Sequence, residues 1–245
     1  MEVAVLTVGD ELLSGRTAND NATWLCRELT DLGARVVRVV VVPDEVDVIA
    51  EELSRLRNTV DRVIVTGGIG PTHDDVTLDA VAAAHGREME QNDRAYRWLL
   101  EEGGYAAEDL VEGTAALPSG ATPIHNDVGV APGAYLEGVY VFPGVPEEMR
   151  AMFHTVAEDF EGRVLHREEV AIDEPESALL GRLAELRDRF DVSVGSYPGE
   201  HVVVRITGTD RAAVLAAAEW LADRAEIVSP ADVPDPGDGN GDTHE

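Results

Sequence analysis

Residues 63–80 read VIVTGGIGPTHDDVTLDA, and this stretch decides the predicted fold. A short β-branched run ends at Thr66, three glycines follow within four residues, and two adjacent aspartates precede an apolar pattern with helical spacing. A buried strand that leads through a glycine-rich turn into a helix is typical of a parallel α/β sheet. Ligands of such sheets bind beyond the carboxyl ends of the strands, so this turn also marks the candidate site.

The rest of the first 160 residues continues the alternation of strand and helix. We predict strands at 3–8, 35–42 and 60–66, helices at 19–32, 43–56, 76–85, 91–102 and 146–157, and a hairpin at 134–142 that turns at Glu137 and Gly138. Right-handed crossovers between the strands give a parallel sheet with helices on both faces. The predicted class is therefore α/β with three layers.

The pattern changes after Gly162. Strand-like runs around 163–172, 192–197 and 201–207 and helical patterns at 176–189 and 210–225 predict a compact α+β unit. The last stretch is rich in Pro, Gly and Asp, and it has no hydrophobic periodicity. We therefore divide the chain into an α/β domain at 1–162, a small α+β domain at 163–228 and a disordered acidic tail at 229–245.

The charge of the chain excludes one class of partner. Asp and Glu number 48 against 19 basic residues, the formal net charge is −29, and every basic residue is Arg. Such a field repels DNA and RNA at ordinary salt. Because the acidity is spread over the whole chain, it suits a surface that works at high salt, where screening removes the self-repulsion. We interpret it as a halophilic adaptation.

The sequence also predicts the compartment. No apolar run is long enough to span a bilayer, and the first residues resemble a strand rather than a signal peptide. The single Cys26 excludes an internal disulfide and a cysteine-based zinc site. We expect a cytoplasmic protein that does not bind membranes.

The glycines and aspartates of the turn predict a phosphate site with a metal ion. Gly67, Gly68 and Gly70 allow positive φ and close approach of backbone N–H groups to an anion, and the following helix N-terminus favours one. The carboxylates of Asp74 and Asp75 repel phosphate unless a divalent cation lies between them. Asp10, directly after the first strand, is a further candidate ligand or base. The alternative is that these aspartates only cap helices or turns.

Three other loop positions complete the predicted site. Thr72 lies in the glycine-rich turn, Asn126 and Gly129 lie in HNDVGVAPG at 125–133, and Gly144 lies in FPGVPEEM at 142–149. We assign them to substrate binding, together with the three glycines of the turn. The alternative is that these loops are scaffold only.

Taken in order, five segments of the chain resemble the competence/damage-inducible protein A (CinA) family within the molybdopterin-binding superfamily. They are TVGDELLSG (7–15), NDNATWLCREL (19–29), TGGIGPTHDDVT (66–77), NDVGVAPG (126–133) and FPGVPEEMRAMF (142–153). The resemblance covers nearly all of residues 3–225. It implies a molybdopterin-binding-like α/β domain followed by a small α+β domain.

The resemblance also implies an activity. In the CinA family the first domain is associated with metal-dependent hydrolysis of nucleotide pyrophosphates such as ADP-ribose, which requires Mg²⁺ or Co²⁺. The wider superfamily binds molybdopterin, and one branch adenylylates it. Asp75 matches the aspartate common to both branches, and Asp74 matches the CinA-like pattern. The resemblance further implies a homodimer. Many family members carry a deamidase domain after this region, and we expect this chain to depart from them in lacking deamidase activity.

Three functions follow from these observations. The first is a metal-dependent nucleotide pyrophosphatase, in which Asp75, Asp74 and Asp10 are the catalytic and metal-binding residues. The second is a non-catalytic module that binds molybdopterin or a nucleotide. It is favoured because residues 111–114 (VEGT) lack the basic residue that family members often carry there. The third is molybdopterin adenylyl transfer, against which the GPTxDD form of the turn and the second domain both argue.

Overall fold

The protein is described by a computed structural model that covers residues 1–70, 72–106, 108, 110, 113–162 and 165–228. The chain divides into two compact units, Met1–Arg163 and Val164–Glu245, which are described separately below. The predicted acidic tail at 229–245 lies outside the described residues.

The first unit alternates strands and helices. Its elements are β1 (Glu2–Val8), α1 (Asp10–Leu13), α2 (Asp20–Asp31), β2 (Arg35–Val42), α3 (Val46–Arg57), β3 (Arg62–Thr66), α4 (Thr77–His85), β4 (Met89–Gln91), α5 (Asp93–Glu101), β5 (Ala116–Pro118), β6 (Thr122–Ile124), β7 (Gly133–Leu136), β8 (Val139–Phe142), α6 (Pro146–Thr155) and a 3-10 helix (Ala157–Phe160). A six-stranded sheet runs in the order β2-β1-β3-β8-β7-β6. The first four strands of that order are parallel, and β7 and β6 are antiparallel to their neighbours.

Successive side chains of the central strands point to opposite faces of the sheet, so they form two cores, one on each face. Leu6 and Val65 pack with residues of α3 and α4, including Leu53 and Val81, and all four are fully buried. Residues of the opposite parity pack with α2, α6 and the 3-10 helix. They include Val5, Ile64 and Phe142, which share this core with Leu25 of α2 and Phe153 of α6. The predicted α/β class with three layers and a mostly parallel sheet is confirmed.

The hairpin prediction is also confirmed in detail. Glu137 has φ 46° and Gly138 has φ 89°, between β7 and β8. Two central residues with positive φ match the right-handed twist of the flanking strands.

Four short elements were not predicted, and one boundary changes the interpretation of the site. α1, β4, β5 and β6 span only three or four residues each, too few to produce a periodic pattern. Helix α4 begins at Thr77, so Asp74 and Asp75 precede the helix. Neither side chain accepts a capping hydrogen bond from its first N–H groups.

The second unit is a small α+β fold. Its elements are β9 (His166–Ile172), α7 (Glu176–Arg189), β10 (Ser193–Tyr197), β11 (Val202–Gly208) and α8 (Arg211–Ala222). The strands form an antiparallel sheet in the order β10-β11-β9. Alternate residues of the central strand, Val204 and Ile206, are fully buried and share a core with Leu186 and Leu221 of the helices. The predicted elements of this unit are present; α7 has its predicted bounds, and the bounds of the other elements differ by at most three residues.

No helix in the described part of the chain is long and apolar enough to cross a membrane. The longest helix in either unit, α7, has 14 residues, whereas a transmembrane helix requires about 20 apolar residues.

We expect the thermal stability to rise with salt. The formal net charge of −29 creates repulsion between carboxylates that dominates at low ionic strength, where the Debye length is about 30 Å at 0.01 M. Differential scanning calorimetry in KCl from dilute to multimolar concentrations should give a Tm that increases along the series. A Tm that stays constant across the series contradicts the halophilic interpretation.

Candidate functional site

The carboxyl ends of β1, β2, β3 and β8 lie at one edge of the sheet, because these four strands are parallel and adjacent. The loops that leave this edge begin at Gly9, Pro43, Gly67 and Pro143. They contain most of the residues that the sequence assigns to the site. The structure therefore provides the expected location for a ligand of an open α/β sheet.

Two of the three predicted metal-binding carboxylates line one acidic cavity. The cavity has a volume of about 880 Å³, and its lining residues are Asp10, Glu11, Leu13, Ser14, Arg16, Asp44, His73 and Asp74. Four carboxylates therefore face one space, with Arg16 as the arginine among the described lining residues. The prediction did not include Asp44 and Arg16. We call this space the acidic cavity.

Asp44 fixes the position of the loop after β1. Its Oδ2 accepts a hydrogen bond from the backbone N–H of Asp10 at 2.9 Å. The pKa of Asp44 is raised above its ordinary value, first because burial disfavours the charged form and further because three carboxylates of the acidic cavity lie nearby. The N–H of Asp10 opposes this shift. Asp44 follows the carboxyl end of β2. The argument that ligands bind beyond the carboxyl ends of the strands, which predicted Asp10, therefore also applies to Asp44.

The glycine-rich turn has the predicted positive φ at Gly67 and Gly68, but the N–H of Gly67 is already hydrogen-bonded. Gly67 and Gly68 have φ values of 105° and 62°. The N–H of Gly67, however, donates to the carbonyl of Phe142 at 3.1 Å, so it is not available to an anion. A Cβ at Gly67 would lie 2.3 Å from the carbonyl oxygen of Val8. Gly67 is thus required by the close approach of the backbone at the ends of β1 and β3. Its assignment to phosphate binding stays a prediction.

Asp75 lies apart from Asp74 and from the acidic cavity. Its Oδ2 accepts hydrogen bonds from the N–H of Thr72 at 2.9 Å and from the hydroxyl of Thr72 at 2.6 Å. A Cβ at Gly70 would lie 2.8 Å from the same oxygen, so Gly70 makes room for this carboxylate. Thr72 and Gly70, both predicted to bind substrate, therefore hold Asp75 in the turn.

Asp75, Thr72 and Gly70 line a second space of about 500 Å³, which we call the apolar cavity. Its other lining residues are Ile69, Leu78, Asp79, Met89, Leu110, Gly113, Thr114, Ala116, Val130 and Ala131. Two adjacent residues in the sequence, Asp74 and Asp75, thus face two different cavities.

Asn126 is fully buried and has no hydrogen-bonding capacity left for a substrate. Its side-chain amide donates to the carbonyl of Ala131 at 3.1 Å and to Glu148 Oε2 at 2.7 Å. Its oxygen accepts from the N–H groups of Val128 at 3.3 Å and Gly129 at 2.8 Å. These four bonds use the donors and acceptors of the amide. Asn126 and Gly129 shape the loop that carries Val130 and Ala131 to the apolar cavity. Their assignment to substrate binding stays a prediction.

Gly144 lies in a smaller cleft beside the acidic cavity. The cleft has a volume of about 140 Å³ and is lined by Glu11, Asn21, Thr66, Gly67, Gly144 and eight other residues. Asn21 donates to the carbonyl of Gly144 at 2.8 Å, and its Oδ1 is buried without a hydrogen-bond partner. The unpaired acceptor of the cleft, Oδ1 of Asn21, therefore lies next to Gly144, which the sequence assigns to substrate binding.

The described residues do not form a complete protein cage for a metal ion. No group of three or more His, Cys, Asp or Glu side chains in this part of the chain is placed to hold one. Asp10 and Asp74 share the acidic cavity, and Asp75 does not. This donor set still fits Mg²⁺, because Mg²⁺ is commonly held by one or two carboxylates together with waters and phosphate oxygens of the substrate.

Comparison with known proteins agrees with the fold described above. Residues 4–162 match the family described as "Probable molybdopterin binding domain". A protein from Archaeoglobus fulgidus is 38% identical over 213 residues, which cover 86% of this chain and 92% of the relative. A protein from Pyrococcus furiosus is 36% identical over 241 residues, which cover 90% of this chain and 96% of the relative.

A solved structure is also similar to this chain. The crystal structure of the protein CinA from Thermoplasma acidophilum superposes with a TM-score of 0.60 at 36% sequence identity. The match covers 65% of this chain and 97% of that chain. The chain therefore belongs to the CinA family of proteins with a molybdopterin-binding domain.

Proposed function

We propose that the protein is a divalent-metal-dependent hydrolase of nucleoside diphosphate derivatives, with the acidic cavity as its reaction site. The observation that carries the proposal is the convergence of Asp10, Asp44 and Asp74 on one cavity at the carboxyl edge of the sheet. Carboxylates that face a common space repel one another and repel phosphate. A divalent cation between the carboxylates and a diphosphate removes both repulsions.

Each residue has a specific role in this proposal. Asp10 and Asp74 hold the cation, and Asp44 positions Asp10 through the backbone hydrogen bond. Arg16 lines the same cavity and supplies a positive charge for the phosphate, a role that the family resemblance would assign to a basic residue elsewhere. When bound, the cation supplies Lewis-acid stabilisation of the phosphate oxygens and lowers the pKa of a bound water.

Asp75 has a different role in this proposal from the adjacent Asp74, which holds the cation. Because both of its hydrogen bonds come from Thr72, Asp75 keeps the turn closed and separates the two cavities. We therefore assign it to shaping the substrate site and assign the cation to Asp10 and Asp74.

A second candidate is a binding module that holds a nucleotide or molybdopterin without turnover. It is supported by the absence, among the described residues, of a three-ligand group for a metal ion. The two candidates share the ligand site and differ in whether a product forms.

The test is an incubation of the purified protein in concentrated KCl with ADP-ribose or with a GDP-sugar, with and without Mg²⁺ or Co²⁺. The hydrolase proposal expects release of AMP or GMP that requires the metal ion. A parallel incubation with molybdopterin and ATP detects adenylyl transfer. Binding by calorimetry without any product supports the binding module and overturns the hydrolase.

A further inference from the structure

The last residue of α4, His85, lies at the edge of the sheet opposite the candidate site. Helix α4 begins beyond the carboxyl end of β3 and packs along the sheet, so it ends near the amino ends of the parallel strands. A cavity of about 240 Å³ lies there, and its lining includes Arg57 of α3, Ala84 of α4, Glu137 of the hairpin turn and Arg62 at the start of β3. The surroundings of His85 are therefore separate from the acidic cavity.

The half-buried imidazole ring of His85 is built into the fold in its neutral form. Its Nδ1 lies 2.7 Å from the carbonyl oxygen of Val81, which only accepts hydrogen bonds, so Nδ1 carries the proton and donates. In a neutral ring Nε2 then has no proton, and Nε2 is buried without a hydrogen-bond partner among the described residues. A proton on Nε2 would therefore create a buried donor that lacks an acceptor.

The charged groups that act on the ring come from three different elements, namely Arg57 of α3, Arg87 beyond α4 and Glu137 of the hairpin. Arg57 donates to the carbonyl of Ala84 at 3.0 Å, next to His85. Glu137 accepts from Arg57 at 3.2 Å and from Arg87 at 2.9 Å, so two guanidinium groups share one carboxylate. A positive charge on His85 would therefore be the third in this group.

Both features act on the pKa of His85, which lies below its ordinary value. The first cause is burial, and the two arginines lower the pKa further. The hydrogen bond to the helix backbone and the carboxylate of Glu137 oppose this shift. The fold thus favours the neutral ring.

We propose that His85 is an acid-sensitive switch in the first unit, in which a proton on the ring releases the end of α4 from α3 and from the hairpin. The protonated ring has a buried donor without an acceptor and a positive charge beside two guanidinium groups. It loses both costs when it turns out into water, and the last turn of α4 then loses its contacts. This switch goes beyond the proposed function and does not depend on the reaction at the acidic cavity.

His85 makes the folded state less stable in acid. Because its pKa is lower in the folded chain than in the unfolded chain, the unfolded chain binds the proton at a higher pH. Well above pH 6.5 the ring is neutral in both states and has no effect on the pH dependence. As the pH falls below about 6.5, the free energy of unfolding decreases until the folded protein is protonated as well.

The test compares the wild type with His85→Gln, whose amide can donate to the carbonyl of Val81 but cannot gain a proton. Each protein is unfolded by heat at pH 8 and at pH 5 in the same concentrated KCl. The Tm of the wild type should fall between the two pH values by at least about 2 °C more than that of the variant. His154→Gln is the matched control, because His154 also lies in the last turn of a helix but is exposed. It should keep the pH dependence of the wild type.

A second measurement uses the wild type alone, so it decides the question even where His85→Gln does not fold. NMR follows the ring signals of His85 and the hydrogen-exchange protection factors of the last turn of α4 from pH 8 to pH 5. The ring should titrate at a lower pH than that of His154, and the protection factors should fall over the same range while those of α2 do not. An equal loss of Tm in the wild type and His85→Gln overturns the inference, as do protection factors of α4 that stay constant while the ring titrates.

Discussion

Asp74→Asn is expected to lower metal-dependent hydrolysis by at least about two orders of magnitude while the protein stays folded. Asp74 lines the acidic cavity with Asp10 and Asp44. Its carboxylate makes no hydrogen bond with any residue that the structure describes. The amide has nearly the same shape but lacks the charge that holds a divalent cation. A loss of about 3 kcal/mol in transition-state stabilisation corresponds to roughly a hundredfold in rate.

The control for this change is Asp47→Asn. Asp47 lies in the first turn of α3, three residues after Asp44, and does not line the acidic cavity. Asp47→Asn removes the same negative charge outside the site, so the turnover of this variant should stay near that of the wild type. The measurement is the rate of nucleoside monophosphate release at saturating Mg²⁺, with the Tm of each variant recorded. Wild-type turnover by Asp74→Asn removes Asp74 from the mechanism.

Gly67→Ala is expected to destabilise the first unit by about 2–5 kcal/mol. Two costs add: an alanine at φ 105° is strained, and its Cβ would lie 2.3 Å from the carbonyl oxygen of Val8. The oxygen belongs to the backbone of a buried strand, so it cannot move away as a flexible side chain would. At about 2–4 °C per kcal/mol, the Tm should fall by roughly 5–15 °C.

Gly86→Ala isolates the conformational part of this cost. Gly86 ends α4 with φ 60°, and an added Cβ there meets nothing within 4 Å. Its substitution should therefore cost about 1 kcal/mol, the usual penalty for a residue other than glycine in the left-handed region. Equal changes in Tm for the two variants would show that the contact with Val8 has no effect.

The strands of the sheet and the edge that carries the site follow from local patterns. β1, β2 and β3 are runs rich in β-branched residues, and the residues directly after β1 and β3 are predicted to face a ligand. Asp10 and Asp74 do share one cavity. These features depend on residues close together in the sequence, where periodicity and the strand-end rule apply.

The roles of individual residues depend on contacts that local patterns do not contain. Asp74 and Asp75 were assigned to one metal site because they are adjacent, but the turn in which the N–H of Val76 donates to the carbonyl of Asp74 directs them into different cavities. Asn126 was assigned to substrate, but its amide is occupied in part by Glu148, 22 residues later. Gly67 was assigned to phosphate, and its neighbour Val8 is far away in the sequence.

The turn that separates the two cavities has a consequence for substrate length. One peptide unit joins Asp74 on one side to Asp75 on the other, and consecutive Cα atoms are about 3.8 Å apart. A ligand that filled both cavities would therefore have to pass over this short stretch of backbone. A diphosphate ester has a flexible linker between its ring system and its second phosphate, whereas a free base or inorganic pyrophosphate has only one of the two ends. Under the proposed function, the turn would favour ligands whose two ends can reach both cavities.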